Sequence, residues 1–280
     1  MRKLWIRLLL LALAAVYLIP FLFLVTSSLA PEGTALERPL SLPGSPRWSN
    51  YAEALEKLGA FDEESPLRGF LRLLFNTTLL TLLSILFQLI TCSMAGYAFA
   101  RLRFRGKGLL FVVVLATLML PMPVTVIPQF VLYRELGWID TFLPLLAPCL
   151  LGGSPFFIFL FRQFFLTIPR DLVEAARLDG CGWTGVFLRV FVPLSTPVAA
   201  AVAIFTFLSV WNEIWLPLIY LSSPEKGTLT LALAGFSRSY RVNIELLMAA
   251  STVALLPCLL VYAVFQRKFL QGIQLSAGKG

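Results

Sequence analysis

Long apolar runs separated by short polar breaks set the rhythm of this chain. Six of them, near residues 8–29, 70–100, 109–132, 142–161, 197–221 and 246–265, are long enough to cross a bilayer as helices, which takes about 20 residues each. The expectation is an all-α polytopic membrane protein: one transmembrane domain over residues 1–280 with six membrane-spanning helices. The breaks differ in kind. Residues 30–69 form the longest polar stretch, interrupted by Pro31, Pro39, Pro43, Pro46 and Pro66, with room for one short helix over residues 50–58. Residues 169–193 read instead as a structured insert.

In that insert Pro169 stops the preceding helix. Asp171 stands three residues before Glu174, the spacing of a capping box, and Gly180 supplies a left-handed stop. Between them lies a helix of about two turns. Leu172, Ala175 and Ala176 share a face by spacing, and Glu174 can pair with Arg177. Two alanines on an exposed face would let another polypeptide's backbone come close. A helix lying on the lipid surface would need larger apolar residues and a basic face, so docking is the preferred reading.

Composition strengthens the membrane assignment: 58% of residues are hydrophobic and only 14% charged, with mean hydropathy +0.83. Ordinary globular domains hold roughly 25% charged residues. The net charge of +8 could suggest nucleic acid, but its placement follows topology. Most of the 23 basic residues fall in the segments that share a side with the N-terminus, whereas only Asp171, Glu174 and Asp179 of the 15 acidic ones do. By the positive-inside bias both termini and the 169–193 insert are cytoplasmic, and residues 30–69 lie outside. The first apolar run is too long for a signal core, and Pro31 follows the small residues at Ser28–Ala30, so a retained span is expected.

Three prolines in the third run (Pro121, Pro123, Pro128) and three in the fourth (Pro144, Pro148, Pro155) predict kinked helices beside a pathway. No His is present and the four Cys lack metal or redox spacing, so no metal site is expected. Gly180-x-Gly182-x-x-Gly185 matches a dinucleotide fingerprint in letters, but it follows a helix rather than a strand and is rejected. There is no phosphate-binding Gly-x-x-x-x-Gly-Lys-Ser/Thr loop, so ATP energy would have to come from another subunit. The fifth run holds Trp211-Asn212-Glu213-Ile214-Trp215, a carboxylate and an amide beside indoles in an apolar segment. An ionisable residue there costs about 2.5–3.5 kcal/mol on insertion scales. Such a cluster suits sugar hydroxyls and faces, or a structural bond to another helix; Gln129, Ser154 and Asn76 are weaker candidates for the same cavity.

These residues resemble the permease subunits of carbohydrate-importing ABC transporters, particularly the smaller maltose-type permease. The EAA loop of that family is matched by Glu174-Ala175-Ala176, Asp179-Gly180, Phe187 and Pro193-Leu194. Asn50-Tyr51, Asn76-Thr77, Ala98 to Arg101, Pro121 to Pro128, Gly137 with Thr141, Ile168-Pro169 and Trp211-Asn212-Glu213 through Pro217 look like further family positions, while Cys181 stands where alanine is usual. The resemblance implies a type I importer fold in a bacterial plasma membrane. Glu174, Ala175, Ala176, Arg177, Asp179 and Gly180 would form the coupling helix. Its partners would be a second permease, two ATP-binding cassette subunits holding ATP and magnesium, and an extracytoplasmic sugar-binding protein. It implies a non-catalytic chain without cofactor, forming half the path for a sugar or oligosaccharide. The alternatives are another solute, such as a polyol or glycerol phosphate, or an ion-coupled transporter, which Glu213 alone would have to serve.

Overall fold

A computed structural model describes residues 2–37, 40, 44–239 and 243–277. In chain order the helices are α1 (Arg2–Ser28), α2 (Ser49–Leu58), α3 (Pro66–Arg101), α4 (Lys107–Ala116), α5 (Met122–Glu135), α6 (Leu143–Leu151), α7 (Pro155–Thr167), α8 (Arg170–Leu178), α9 (Trp183–Val186), α10 (Val192–Leu194), α11 (Thr196–Trp211), α12 (Trp215–Tyr220), α13 (Leu229–Ser239) and α14 (Ile244–Ala277). No strand occurs among the described residues. A π-turn over Phe187–Phe191 joins α9 to α10.

Among the described residues, four stretches are long and apolar enough to cross a membrane singly: Leu4–Ser28, Pro66–Arg101, Leu143–Thr167 and Ile244–Val264. Two more pass only as bent pairs. Lys107–Met119 and Met122–Glu135 meet at 101°, and Trp183–Leu194 and Thr196–Trp211 at 74°. The third expected span is therefore broken near Leu120, whereas the second bend, at Ser195, falls just before the fifth, which was expected over residues 197–221. The fifth also ends early, because α11 stops at Trp211 and α12 restarts at Trp215. Proline explains much of this, but by starting helices more than by kinking them. Pro123, Pro144 and Pro155 occupy first-turn positions, where the missing N–H costs nothing. Pro128 and Pro148 alone of the six sit inside helices.

The chain forms two compact units, residues 1–75 with 227–260, and residues 76–226 with 261–280. In the first, the expected short helix in the 30–69 loop is present as α2. Asn50 is buried and donates Nδ2 to the carbonyls of Ser28 and Ala30, each at 2.9 Å. Those carbonyls lie at the C-terminus of α1, where no intrahelical donor remains. The Tyr51 hydroxyl adds a 2.7 Å bond to Ser28 Oγ. Glu245, buried at the start of α14, accepts the Ala35 N–H at 3.0 Å. Glycine permits the tightest contact. A Cβ on Gly59 would lie 1.7 Å from the Pro66 carbonyl oxygen, and one on Gly69 2.2 Å from that of Gly59.

The second unit has an aromatic core in which Cys92 and Tyr97 of α3, Phe157, Phe161 and Phe165 of α7, Val186 and Phe191 pack with Val198 and Val202 of α11. Gly96 lets α3 approach α7 closely, since a Cβ there would meet Phe161 Cβ at 2.6 Å. Elsewhere the usual arrangement of a soluble protein is inverted. Leu11, Tyr17, Leu109, Val112 and Ile127 are all more than three-fifths exposed, as suits helices whose solvent is hydrocarbon.

Candidate functional site

α8 is built by its two ends. Ile168 precedes a proline and is extended (φ −69°, ψ 129°), as the proline ring demands. Pro169 then holds the N-cap position, and no side chain caps the helix. The capping box expected from Asp171 and Glu174 is thus absent: α8 begins one residue before Asp171, which places that carboxylate inside the first turn. At the other end Gly180 has φ +83°. Its N–H donates to Arg177 O (3.1 Å), and the Cys181 N–H donates to Ala176 O (3.0 Å). This pair of bonds is a Schellman closure, and the glycine stop is where the sequence put it.

Nothing in α8 is buried, yet its two sides differ. Val173 and Ala176, three residues apart, pack on the aromatic core. Leu172, Glu174, Ala175, Arg177, Asp179 and Gly180 face outward. Ala176 is accordingly an inward anchor, and the expected alanine pair on the outer face reduces to Ala175, flanked by Leu172 and Leu178. Leu178 is 89% exposed. Glu174 and Arg177 form no ion pair among the described residues; the Arg177 guanidinium lies 4.7 Å over the Trp183 ring instead, a favourable cation–π geometry. The Tyr97 hydroxyl donates to Trp183 O at 3.0 Å. On the near side Arg101 donates to the carbonyls of Phe165 (Nη2, 2.6 Å) and Ile168.

The polar cluster of the fifth run occupies the gap between α11 and α12. Glu213 Oε1 accepts the N–H of Trp215 at 2.8 Å and of Leu216 at 3.4 Å, capping the new helix as an acidic residue does. Asn212 Nδ2 donates to Leu208 O at 2.8 Å. Trp211 is buried and stacks on Phe207, whereas Trp215 is exposed. Asn212 and Glu213 thus bond the backbone on either side of the break, the structural role that the sequence had left open beside the solute-binding one. Gln129 accepts a long 3.4 Å bond from the Tyr220 hydroxyl, Asn76 donates to Glu225 O at 2.9 Å, and the Ser154 N–H donates to Gln88 Oε1 at 2.8 Å. Gln88 also donates Nε2 to Cys149 Sγ at 3.4 Å, so one amide touches both sides of the break between α6 and α7.

Sequence reading missed Asp140, which has φ +58°. Its Oδ1 accepts the N–H groups of Ser222 and Ser223, each at 2.9 Å, and its Oδ2 accepts Ser223 Oγ at 2.5 Å and Lys226 Nζ at 2.9 Å. Four donors on one carboxylate, the Ser223 hydroxyl foremost, hold its pKa well below the usual range. The stabilisation is present throughout the range above an ordinary carboxylate pKa and is lost only as pH falls towards the depressed value. Asp140→Ala is expected to loosen residues 222–226 by about 1 kcal/mol after solvent screening. Limited proteolysis of that loop should then run roughly fivefold faster, whereas the unaltered loop should resist equally from pH 8 to pH 5.

The profile of the family described as "Binding-protein-dependent transport system inner membrane component" matches residues 88–274. The chain belongs to this family. The permease is 34% identical over 272 residues to the arabinooligosaccharides transport system permease protein AraQ of Bacillus subtilis, covering 96% of this chain and 92% of AraQ. It is 32% identical over 257 residues to the diacetylchitobiose uptake system permease protein NgcG of Streptomyces coelicolor, covering 91% and 82%. A solved bacterial ABC transporter involved in the import of the acidic polysaccharide alginate superposes with TM-score 0.77 at 25% identity, covering 95% of each chain. The fold is thus that of an ABC importer permease. An EAA loop is standard for this family, and residues 174–176 carry those three letters. The matched residues include the aromatic core beneath it.

Proposed function

We propose that this permease forms half of the translocation path for a sugar or oligosaccharide, with α8 seated in a groove of a cytoplasmic ATPase that binds ATP and magnesium. A second permease completes the path, and a sugar-loaded binding protein delivers solute from outside. Each bent helix pair is one span, giving six, with both termini and α8 on the cytoplasmic side. The carbohydrate reading draws support from relatives named for arabinooligosaccharides, diacetylchitobiose and alginate.

One observation carries the coupling reading. α8 shows solvent an apolar ridge of Leu172, Ala175 and Leu178, while Val173 and Ala176 tie its other side to the core. Burying a leucine such as Leu178 under a partner is worth about 1.5–3 kcal/mol. An element firmly held inside and uncovered outside is shaped to receive force. Glu174→Lys and Leu178→Asp in the co-expressed importer should each lower recovery of the ATPase with the affinity-tagged permease by about tenfold, while the second permease is recovered as before. Undiminished ATPase recovery with normal uptake of labelled arabinooligosaccharide would refute the seating of α8.

A further inference from the structure

The hydrogen bonds around α8 point to a linkage that its apolar contacts do not reveal. In an α-helix the carbonyl of residue i accepts the N–H of residue i+4. For Phe165 that residue is Pro169, which has no N–H. The same proline that frees α8 from α7 therefore leaves the Phe165 carbonyl without its helical donor inside an aromatic core, where an unsatisfied acceptor is costly. Ile168, extended at the junction, has a second carbonyl outside the helical ladder. Arg101, the last residue of α3, supplies both: Nε and Nη2 reach Phe165 O at 3.1 and 2.6 Å, and Nη2 also reaches Ile168 O. Its guanidinium lies 5.3 Å over the Phe191 ring.

One helical turn earlier on α3, the Tyr97 hydroxyl donates to Trp183 O, just beyond the Gly180 stop. Its ring packs on Phe187 and Phe191, with centroids 5.1 and 4.9 Å away. Positions 97 and 101 share one face of α3. That face holds the chain immediately before α8 and shortly after it. Val173 and Ala176 also touch the core, but apolar contacts are non-directional and let a helix slide. Bonds to fixed carbonyls do not.

We propose that Tyr97 and Arg101 act together as a two-point yoke through which displacement of α8 is carried into α3. They are positioning residues: neither meets nucleotide or solute. The proposal rests on the coupling reading of α8 and adds where the displacement goes. It casts the 36-residue α3, about 54 Å long against a hydrocarbon core of about 30 Å, as the rod that carries the stroke across the membrane.

The test uses the intact importer, permease with co-expressed second permease and ATPases, trapped with ATP and vanadate and followed by hydrogen–deuterium exchange. In the unaltered complex, trapping should change exchange in both α8 and residues 84–97 of α3. With Arg101→Gln, or with Tyr97→Phe, which keeps the ring, the α8 response should persist while the α3 response falls at least about fivefold. Arg101→Lys should restore part of it, because an ammonium can still reach one carbonyl. An undiminished α3 response in both the Gln and Phe variants overturns the yoke. So does failure of all three variants to assemble, which would make the pair a fixture of folding. If α8 itself does not respond in the unaltered complex, the coupling reading falls and the yoke with it.

Discussion

Permease carrying Gly180→Pro is expected to insert normally, pair with its partner permease and lose ATP-driven uptake by roughly a hundredfold. The reason is local. Gly180 sits at φ +83° and donates its N–H to Arg177 O; proline has no N–H and holds φ near −65°. Both Schellman bonds go, α8 loses its defined end, and Trp183, which lies under Arg177 and is held by Tyr97, is displaced. Gly180→Ala should cost about 1–2 kcal/mol through the left-handed backbone alone and reduce uptake far less. Gly182→Ala is the control: φ there is −68°, and an added Cβ meets nothing within 4 Å. Uptake by vesicles at matched permease content, with ATPase recovery in parallel, separates these outcomes. Normal uptake by the proline variant would mean that the end of α8 does not matter.

The second large effect concerns folding. Gly59→Ala should abolish most folded permease, because its Cβ would be driven to 1.7 Å from Pro66 O and 2.6 Å from Phe70 N. Those atoms are backbone, so no rotamer change relieves the overlap; α2 and the start of α3 must part. Ordinary overpacking costs about 1–3 kcal/mol, and a backbone collision at this distance lies at or above the top of that range. Gly44→Ala, whose Cβ would meet nothing within 4 Å, should leave yield unchanged. Size-exclusion profiles in detergent and thermal unfolding report the difference. Equal yield and equal unfolding temperature for the two variants would show that the Gly59 contact is not needed.

The contrast between Gly59 and Gly180 shows what can be read without coordinates. Gly180 was legible because a left-handed stop belongs to its own helix, a few residues away in sequence. Gly59 looked like any loop glycine, since its partner Gly69 lies across a turn and nothing in the letters reports backbone proximity. The apolar blocks were equally legible, because crossing a bilayer needs only length and composition. Their interruptions were not. Six prolines forecast kinks, but whether proline kinks a helix or begins one depends on where the preceding helix ends.

The site divides along the same line. The position of α8 and its outward Glu174, Ala175 and Arg177 followed from local pattern. Ala176 did not, because with Leu172, Val173, Ala175 and Ala176 all small or apolar, either of two faces could have turned inward; the core chose Val173 with Ala176. For Glu213 the sequence left a solute contact and a structural bond both open, and only the break at residues 212–214 showed which backbone groups it holds, the N–H groups of Trp215 and Leu216. Asp140 was passed over as one acid in a short loop. All four donors to its carboxylate lie more than 80 positions away.

The Gln88 amide has a mechanical consequence. Its oxygen holds Ser154 and its nitrogen holds Cys149, on opposite sides of the discontinuity between α6 and α7. An amide is rigid and planar, so it fixes the separation of the two atoms it grips. Small tilts stretch both bonds gently, but beyond a certain angle one must let go. The broken span is therefore stapled across its gap by a single side chain of a neighbouring helix, and α6 and α7 cannot tilt apart without lengthening one of the two bonds.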